Sequence, residues 1–324
     1  MKKLVGIFTF LFILYVFILI ATDPEYWGEN HFNLAQRIGL SGILTLGAGL
    51  LIVTGGVDLS MGSVLAFCAC VFCWLVLERH VPISLAVVLV LVTGALIGLV
   101  NGLLVTYLGV QAFVVTLCGL FIYRGAARWL ARDQKPLIAS HVAGLNEFFG
   151  GAFLSIPVYL WLLLILFALA SVFLQSTIWG RYFYAIGSNE RAARYSGIAV
   201  NFYKILAYVL CSAFAAIYSL MHVIEYKTVE PSVTGNSMEL AAIAAAVVGG
   251  CSLRGGEGTT LGMLIGTAIL TLLPNLTGMW GIPDSLEPIF VGGALLICAG
   301  LDEMLRRDVG WRDIVRVTLG LRKR

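Results

Sequence analysis

The chain has 324 residues, of which 60% are hydrophobic and 12% charged, where a soluble domain carries about 25% charged residues. That composition excludes a water-soluble globular enzyme, and a net charge of only +3 gives no support to nucleic-acid binding. At about 20 residues per crossing, apolar runs take up most of the length, so the chain reads as an all-α polytopic membrane protein, one transmembrane domain over 1–324.

About ten transmembrane helices with Gly-broken segments are expected, from runs at 4–21, 38–54, 57–77, 83–108, 110–130, 154–175, 205–221, 240–250, 260–273 and 288–301. The start, Met1-Lys2-Lys3 before an apolar stretch, imitates a secretory signal. Its apolar region is long for that role and no small-x-small site precedes Asp23, so it is read as an uncleaved first span.

The stretch 40–77 is nearly free of charge and carries TGGVDLSMGS at 54–63. Hydrocarbon offers backbone N–H and C=O groups no partner. Broken backbone and a carboxylate at that depth are tolerated only inside protein or along a watery path. This points to a protein that moves something across the membrane. Asp58 either lines that path or caps a helix over 59–77 by accepting N–H bonds freed at the glycines. The cap is favoured, and the two roles are compatible.

Glycine is frequent, 36 residues against an average of about 7%. Gly94, Gly98 and Gly102, and again Gly258, Gly262 and Gly266, recur every four residues. That spacing lets helix backbones approach closely, and packing within one subunit is favoured over a dimer seam. Gly55-Gly56 before Asp58-Leu59-Ser60, and Gly249-Gly250 before Ser252-Leu253, interrupt both halves. Paired interruptions point to a pathway between broken helices.

Charge sets the orientation. The stretch about 177–203 carries Arg181, Arg191 and Arg194 against Glu190, with Lys204 just beyond. The tail 302–324 is also basic. Both read as cytoplasmic, as does the Lys2-Lys3 start, so both termini lie inside. Residues 23–37 and 225–239 lean acidic and read as external, with another external loop at about 131–153. Arg124, Arg128, Arg132 and Lys135 lie near the side this count places outside. Either the count is off by one, or these side chains face protein and water.

The seven cysteines mostly sit within apolar spans. Cys68, Cys70 and Cys73 read as small hydrophobes in a packed helix rather than as metal ligands. No GxxxxGK[ST], HExxH or GxSxG occurs, so no ATP-hydrolysing or metal site is expected within the chain. In GRYFYAIGSNERAARYSGI at 180–198, Ser188 or Asn189 can cap a short charged helix over 190–194, with Glu190 favourable in its first turn. Such a helix would make a docking knob, and read alone it could equally be a solvated linker.

TGGVDLSMGSVLAF at 54–67, TLCGLFIYRGAA at 116–127, GRYFYAIGSNERAARYSGI at 180–198 and ELAAIAAAVVGGCSLRGGEGTTLGMLIGT at 239–267 stand in an order that resembles the permease subunits of ribose-type monosaccharide ABC importers. The resemblance covers nearly the whole chain. It implies a multi-pass protein of the bacterial inner membrane, pairing with a second permease chain and an ABC ATPase subunit. ATP and Mg would be held by that partner, and an external sugar-binding protein would deliver the cargo. It further implies an ATPase-coupling loop of Gly187, Ser188, Asn189, Glu190, Arg191, Ala192, Ala193 and Arg194. Gly55, Gly56, Asp58, Leu59, Ser60, Gly249, Gly250, Ser252 and Leu253 would border the translocation pathway.

Three departures bear on partner and substrate rather than on class. Arg132-Asp133-Gln134-Lys135 replaces a common Gly-Gly-Gln, Ala241 follows Glu239-Leu240 where relatives often have Asp, and Arg254 and Glu257 occupy the Gly-rich loop. Asn101, Gln111, Tyr123 and Tyr218 are candidate wall residues, although structural roles are favoured for them. Rival readings are a secondary transporter with inverted repeats and a passive channel or membrane scaffold. The first needs an ion-coupling site, for which the spans offer few acids besides Asp58.

Overall fold

In a membrane, small residues let helix backbones pack closely, whereas a helix that is apolar on every side can face lipid. The computed structural model describes residues 2–21, 25, 27–279, 283, 286, 288, 289, 292, 293 and 296. Among them the chain forms α1 (Lys2–Ala21), α2 (Trp27–Val53), α3 (Met61–Leu77), α4 (Ile83–Thr106), α5 (Ala112–Leu130) and α6 (Ala139–Phe149). A short hairpin, β1 (Ala152–Phe153) with β2 (Ile156–Pro157), leads into α7 (Val158–Ser171), which ends in a π turn at Val172–Ser176. Then come α8 (Ile178–Ser188), α9 (Glu190–Tyr195), α10 (Val200–Tyr226), α11 (Met238–Val248) and α12 (Thr260–Met279).

The second half of α2 is buried from Gly39 to Val53 except at Ser41, and α3 is buried almost as completely. These two helices, with α10 and α11, form the centre of the main core. Around them α4, α5 and α7 turn large apolar side chains outward, among them Leu85, Val92, Phe121, Ile122, Ile165 and Leu169. Such a surface suits lipid, where outward Leu and Phe cost nothing.

Glycine spacing works as expected within the chain. On α4, a Cβ at Gly94 would meet Ala216 and the Ser212 carbonyl, and one at Gly98 would strike the Tyr208–Val209 backbone of α10. Gly262 and Gly266 on α12 meet the Gly249 and Ala245 carbonyls of α11 in the same way.

The expected ten spans resolve differently. Among the described residues six helices, α2, α4, α5, α7 with its π turn, α10 and α12, are long and apolar enough to cross a membrane, and shorter apolar helical stretches are Gly6–Ile20 within α1, α3 and α11. α3 and α11 are short because non-helical chain, 54–60 and 227–237, replaces part of each span. The expected span at 288–301 and the basic tail 302–324 lie outside the described residues, apart from scattered positions in the former.

Residues 131–153 are not simply loop, since α6 and β1 fold there. The stretch is tied to the one after α10: Leu137 bridges Thr228, and Ile138 N donates to Lys227 O at 3.0 Å. Both regions read as external therefore share one end of the bundle. The basic residues that conflicted with that side face acids and carbonyls. Arg124 donates to Pro231 O (3.1 Å) and Thr234 O (2.5 Å). Arg128 pairs with Asp133 at 2.7 Å, Arg132 with Glu78 at 3.6 Å and Lys135 with Glu230 at 3.6 Å. Hydrogen bonds from Arg128 hold the Asp133 carboxyl below the usual carboxylate range.

Candidate functional site

Three of the sequence motifs converge at one end of the bundle. α2 closes at Thr54 and Gly55, whose N–H groups donate to Leu51 O and Ile52 O, and Gly55 takes φ +82°. That conformation strains any residue with a Cβ. The freed Val53 carbonyl accepts Gly256 N at 2.9 Å from the loop between α11 and α12. The end of α8 wedges between them. A Cβ on Gly187 would overlap Val53 O and the Gly256 backbone, and one on Gly255 would lie 2.7 Å from Gly55 N and 2.9 Å from Gly187 Cα. Tyr184 on α8 fastens the same loop by donating to Gly258 O at 2.7 Å. Motifs at 54–56, 187–188 and 255–258 thus make a single backbone junction.

From that junction α9 projects. Thr177 caps α8 by accepting Gly180 N, and Asn189 caps α9 by accepting Ala192 N at 3.0 Å, so of the two candidate caps it is Asn189 that serves. α9 rests on a small apolar cluster of Ile186, Ala193 and Val200. Glu190 accepts from Lys204 at 3.0 Å and from Arg194 at 3.2 Å, while Arg194 also reaches Asn201. Partial burial pulls the Glu190 carboxyl upward, and the hydrogen bonds and charges of Lys204 and Arg194 outweigh it, leaving it below the usual range. The outward face carries Arg191, Ala192 and Tyr195, the last 92% exposed. Edge-to-face rings of Trp179, Tyr182, Phe202 and Tyr203 stand beside it. They resemble the aromatic belt at a membrane surface.

A second polar group lies deeper. Asp58 does not cap α3 as expected. The helix begins at Met61 behind Ser60, which makes no side-chain cap bond. Instead, Asp58 Oδ1 accepts both Ser60 N (2.7 Å) and Ser60 Oγ (2.6 Å) ahead of the helix. Asn101 Nδ2 of α4 donates to Ser60 Oγ at 3.2 Å, and Tyr123 OH of α5 donates to Asn101 Oδ1 at 2.9 Å. The chain Asp58–Ser60–Asn101–Tyr123 locks three segments, the 54–60 stretch, α4 and α5, together in a region where an unpaired polar group is costly. Gly119 on α5 allows that approach, since a Cβ there would sit 3.1 Å from Ser60 Cβ.

Beside this chain the starts of α3 and α11 meet. A Cβ on Gly62 would overlap Gly235 O and the Glu239 carboxylate. Glu239, 8% exposed, stands in the first turn of α11, where the helix dipole favours an anion. Arg124, by holding the carbonyls of Pro231 and Thr234, sets the approach of the 227–237 segment to this point.

The third feature is a cavity of about 400 Å³ between α2, α10, α11 and α12, bounded by Leu40, Leu44, Met238, Ala241, Leu270 and Pro274 as well as by polar residues. Its volume suits a small solute. Of the wall residues expected from sequence, Tyr218 lines it, Asn101 and Tyr123 belong to the Asp58 chain, and Gln111 precedes α5 at an exposed position.

The predicted set is therefore divided. Gly55 joins Gly187 and the 255–258 loop. Gly56 packs on Leu51, Gly249 on Gly262, and Gly250 takes φ +94°. Leu59 packs on the main core, Ser252 accepts Arg254 N through Oγ, and Leu253 is 41% exposed. Asp58 and Ser60 belong to the interior chain. Glu239, Arg37 and Tyr195 were not singled out as site residues. An isolated charge within an apolar run and an aromatic ending a charged helix are the signals they carry.

Residues 30–299 match the family model described as branched-chain amino acid transport system / permease component. The chain is 36% identical over 285 residues to the ribose import permease protein RbsC of Escherichia coli (strain K12), covering 86% of this chain and 88% of that protein. It is 34% identical over 303 residues to the Bacillus subtilis (strain 168) ribose import permease protein RbsC, covering 93% of each. The autoinducer 2 import system permease protein LsrC of Salmonella typhi is 33% identical over 297 residues, 90% of this chain and 83% of that one. No solved structure gives a significant match.

Proposed function

We propose that this chain, which belongs to the branched-chain amino acid transport system / permease component family, is the permease subunit of an ATP-driven ABC importer for a monosaccharide. The sugar class rests on the ribose and autoinducer 2 import permeases it is similar to. The observation that carries the mechanism is the junction of Gly55, Gly187 and Gly255 at the foot of α9.

In this reading α9 lies on the cytoplasmic side, because Arg181, Arg191, Arg194 and Lys204 cluster there and such residues favour that face. A separate ATPase subunit, holding ATP and Mg, docks on Arg191, Ala192 and Tyr195. Its closure pushes α9, and the Glu190–Lys204 and Arg194–Asn201 contacts carry the push into α10. Gly187 carries the same displacement into the end of α2 and the 249–258 loop. Because the junction is backbone against backbone, little of the motion is lost in side-chain rearrangement.

The opposite end, with 131–153 and 225–239, receives an external binding protein. A second permease chain completes the pathway, and the protein resides in the bacterial inner membrane with both termini inside. Uptake of labelled sugar into cells carrying the full set of subunits tests this reading. It should stop on ATP depletion and on inactivation of the ATPase subunit. Undiminished uptake under both conditions would move the assignment to an ATP-independent transporter or channel.

A further inference from the structure

Within the cavity wall one side chain is out of keeping with the rest. Arg37 lies on α2, ten residues past Trp27 and facing the cavity rather than the core. It is the single formal charge among the lining residues, and it has no hydrogen bond or ion pair with any described residue. A guanidinium on a spanning helix is tolerated when it faces water or a partner. Here it faces a space of about 400 Å³.

The remaining polar groups suit a polyhydroxylated guest. Thr45 donates to Ser41 O at 3.2 Å and Thr267 to Met263 O at 2.9 Å, so what each hydroxyl keeps to offer a guest is acceptor capacity. Ser41 and Thr271 add further hydroxyls. Tyr218 and Tyr226 also line the wall, separated by His222, which stacks on Tyr218 at 6.1 Å and lies 4.5 Å from Tyr226. No carboxylate is among the described residues that line the cavity.

We propose that this cavity binds an acidic sugar, an aldonate or uronate, whose carboxylate pairs with the Arg37 guanidinium while its hydroxyls bond the threonine and tyrosine oxygens. Arginine's planar fork matches a carboxylate with two parallel hydrogen bonds. One guanidinium balances one charge, which favours a carboxylate over a phosphate ester carrying about two at neutral pH. The inference rests on the sugar-importer reading above and narrows its substrate.

The test uses cells carrying the complete transporter. Uptake of labelled D-gluconate and D-glucuronate is compared with that of D-ribose and D-glucose, with the unlabelled acids as competitors on the unaltered protein. The acids should be taken up. Arg37→Gln should reduce their uptake by at least about tenfold, the loss of one charge-assisted pair, and Arg37→Lys should keep part of it. The competition data decide the matter even if a variant fails to reach the membrane. Uptake of neutral sugars alone, or of neither class, overturns the inference, as does gluconate uptake indifferent to Arg37→Gln in a well-expressed protein. ATP-dependent uptake of ribose alone would leave the importer reading intact. Loss of ATP dependence would overturn that reading whatever the cargo.

Discussion

Gly187→Ala probes the junction most sharply. The added methyl would overlap the Val53 carbonyl and the Gly256 backbone, the two groups that share a 2.9 Å hydrogen bond. Neither is the end of a flexible side chain, so α8 must shift or the bond must part. Overpacking costs about 1–3 kcal/mol, and leaving a buried carbonyl unpaired costs about 1–3 kcal/mol. The better helix propensity of alanine returns at most about 1 kcal/mol. Whichever way the overlap is relieved, the net destabilisation is about 0–3 kcal/mol, concentrated where α9 meets α2. Melting of the purified complex and sugar transported per ATP hydrolysed both read it, and both should fall. Gly125→Ala is the control, since nothing lies within 4 Å of a Cβ there, and it should leave both unchanged or slightly improved. If Gly187→Ala matches the unaltered protein in melting and in transport per ATP, the junction does not couple α9 to the pathway.

In the interior, Tyr123→Phe removes one 2.9 Å bond and should cost about 1 kcal/mol. Asn101→Leu breaks both of that residue's bonds and should cost more, about 1–3 kcal/mol, with transport falling in the same order; equal melting temperatures would contradict the linked chain. Arg124→Leu frees the Pro231 and Thr234 carbonyls at a cost of about 1–3 kcal/mol. Limited proteolysis should then cut within 228–237 faster, and an unchanged digest would refute that anchoring role. Glu190 makes α9 acid-sensitive. Its carboxyl is held below the ordinary value, so its contribution is full above the unfolded pKa, about 4.3, and is lost as pH falls through the lower folded value. Amide exchange over 190–197 in nanodiscs should rise below about pH 4 relative to intrinsic rates, and Glu190→Gln should abolish that dependence.

Much of this was legible in the sequence because backbone close approach leaves a written record. The spacing of Gly94, Gly98 and Gly102 and of Gly262 and Gly266 announces close backbone packing, and the structure supplies the partners, α10 for the first and α11 for the second. Ser188-Asn189 before Glu190 announces a cap on α9, and the structure assigns it to Asn189. The number of spans was less readable, because hydropathy counts apolar residues and not helix length. The run 57–77 is apolar apart from Asp58 and two serines, yet its helix begins only at Met61. Partnerships distant in sequence left no local trace. Asp58 looked like a cap because Asp before a helix often is one, but Asn101 and Tyr123, far along the chain, hold its partner Ser60. Arg124 conflicted with a topology count that treats every arginine as facing water, whereas its partners are the carbonyls of Pro231 and Thr234.

Coupling through α9 to a separate ATPase subunit is tested most directly by placing a photo-crosslinking residue at Tyr195 and, as control, at Phe153 near the opposite end of the bundle. Both side chains are exposed, at 92% and 63%. Irradiation in native membranes, followed by mass spectrometry, identifies what each touches. A subunit bearing a phosphate-binding loop should be captured from Tyr195 and not from Phe153. Capture of that subunit from Phe153 alone, or from neither position while a known transporter complex in the same membranes crosslinks normally, would contradict the account.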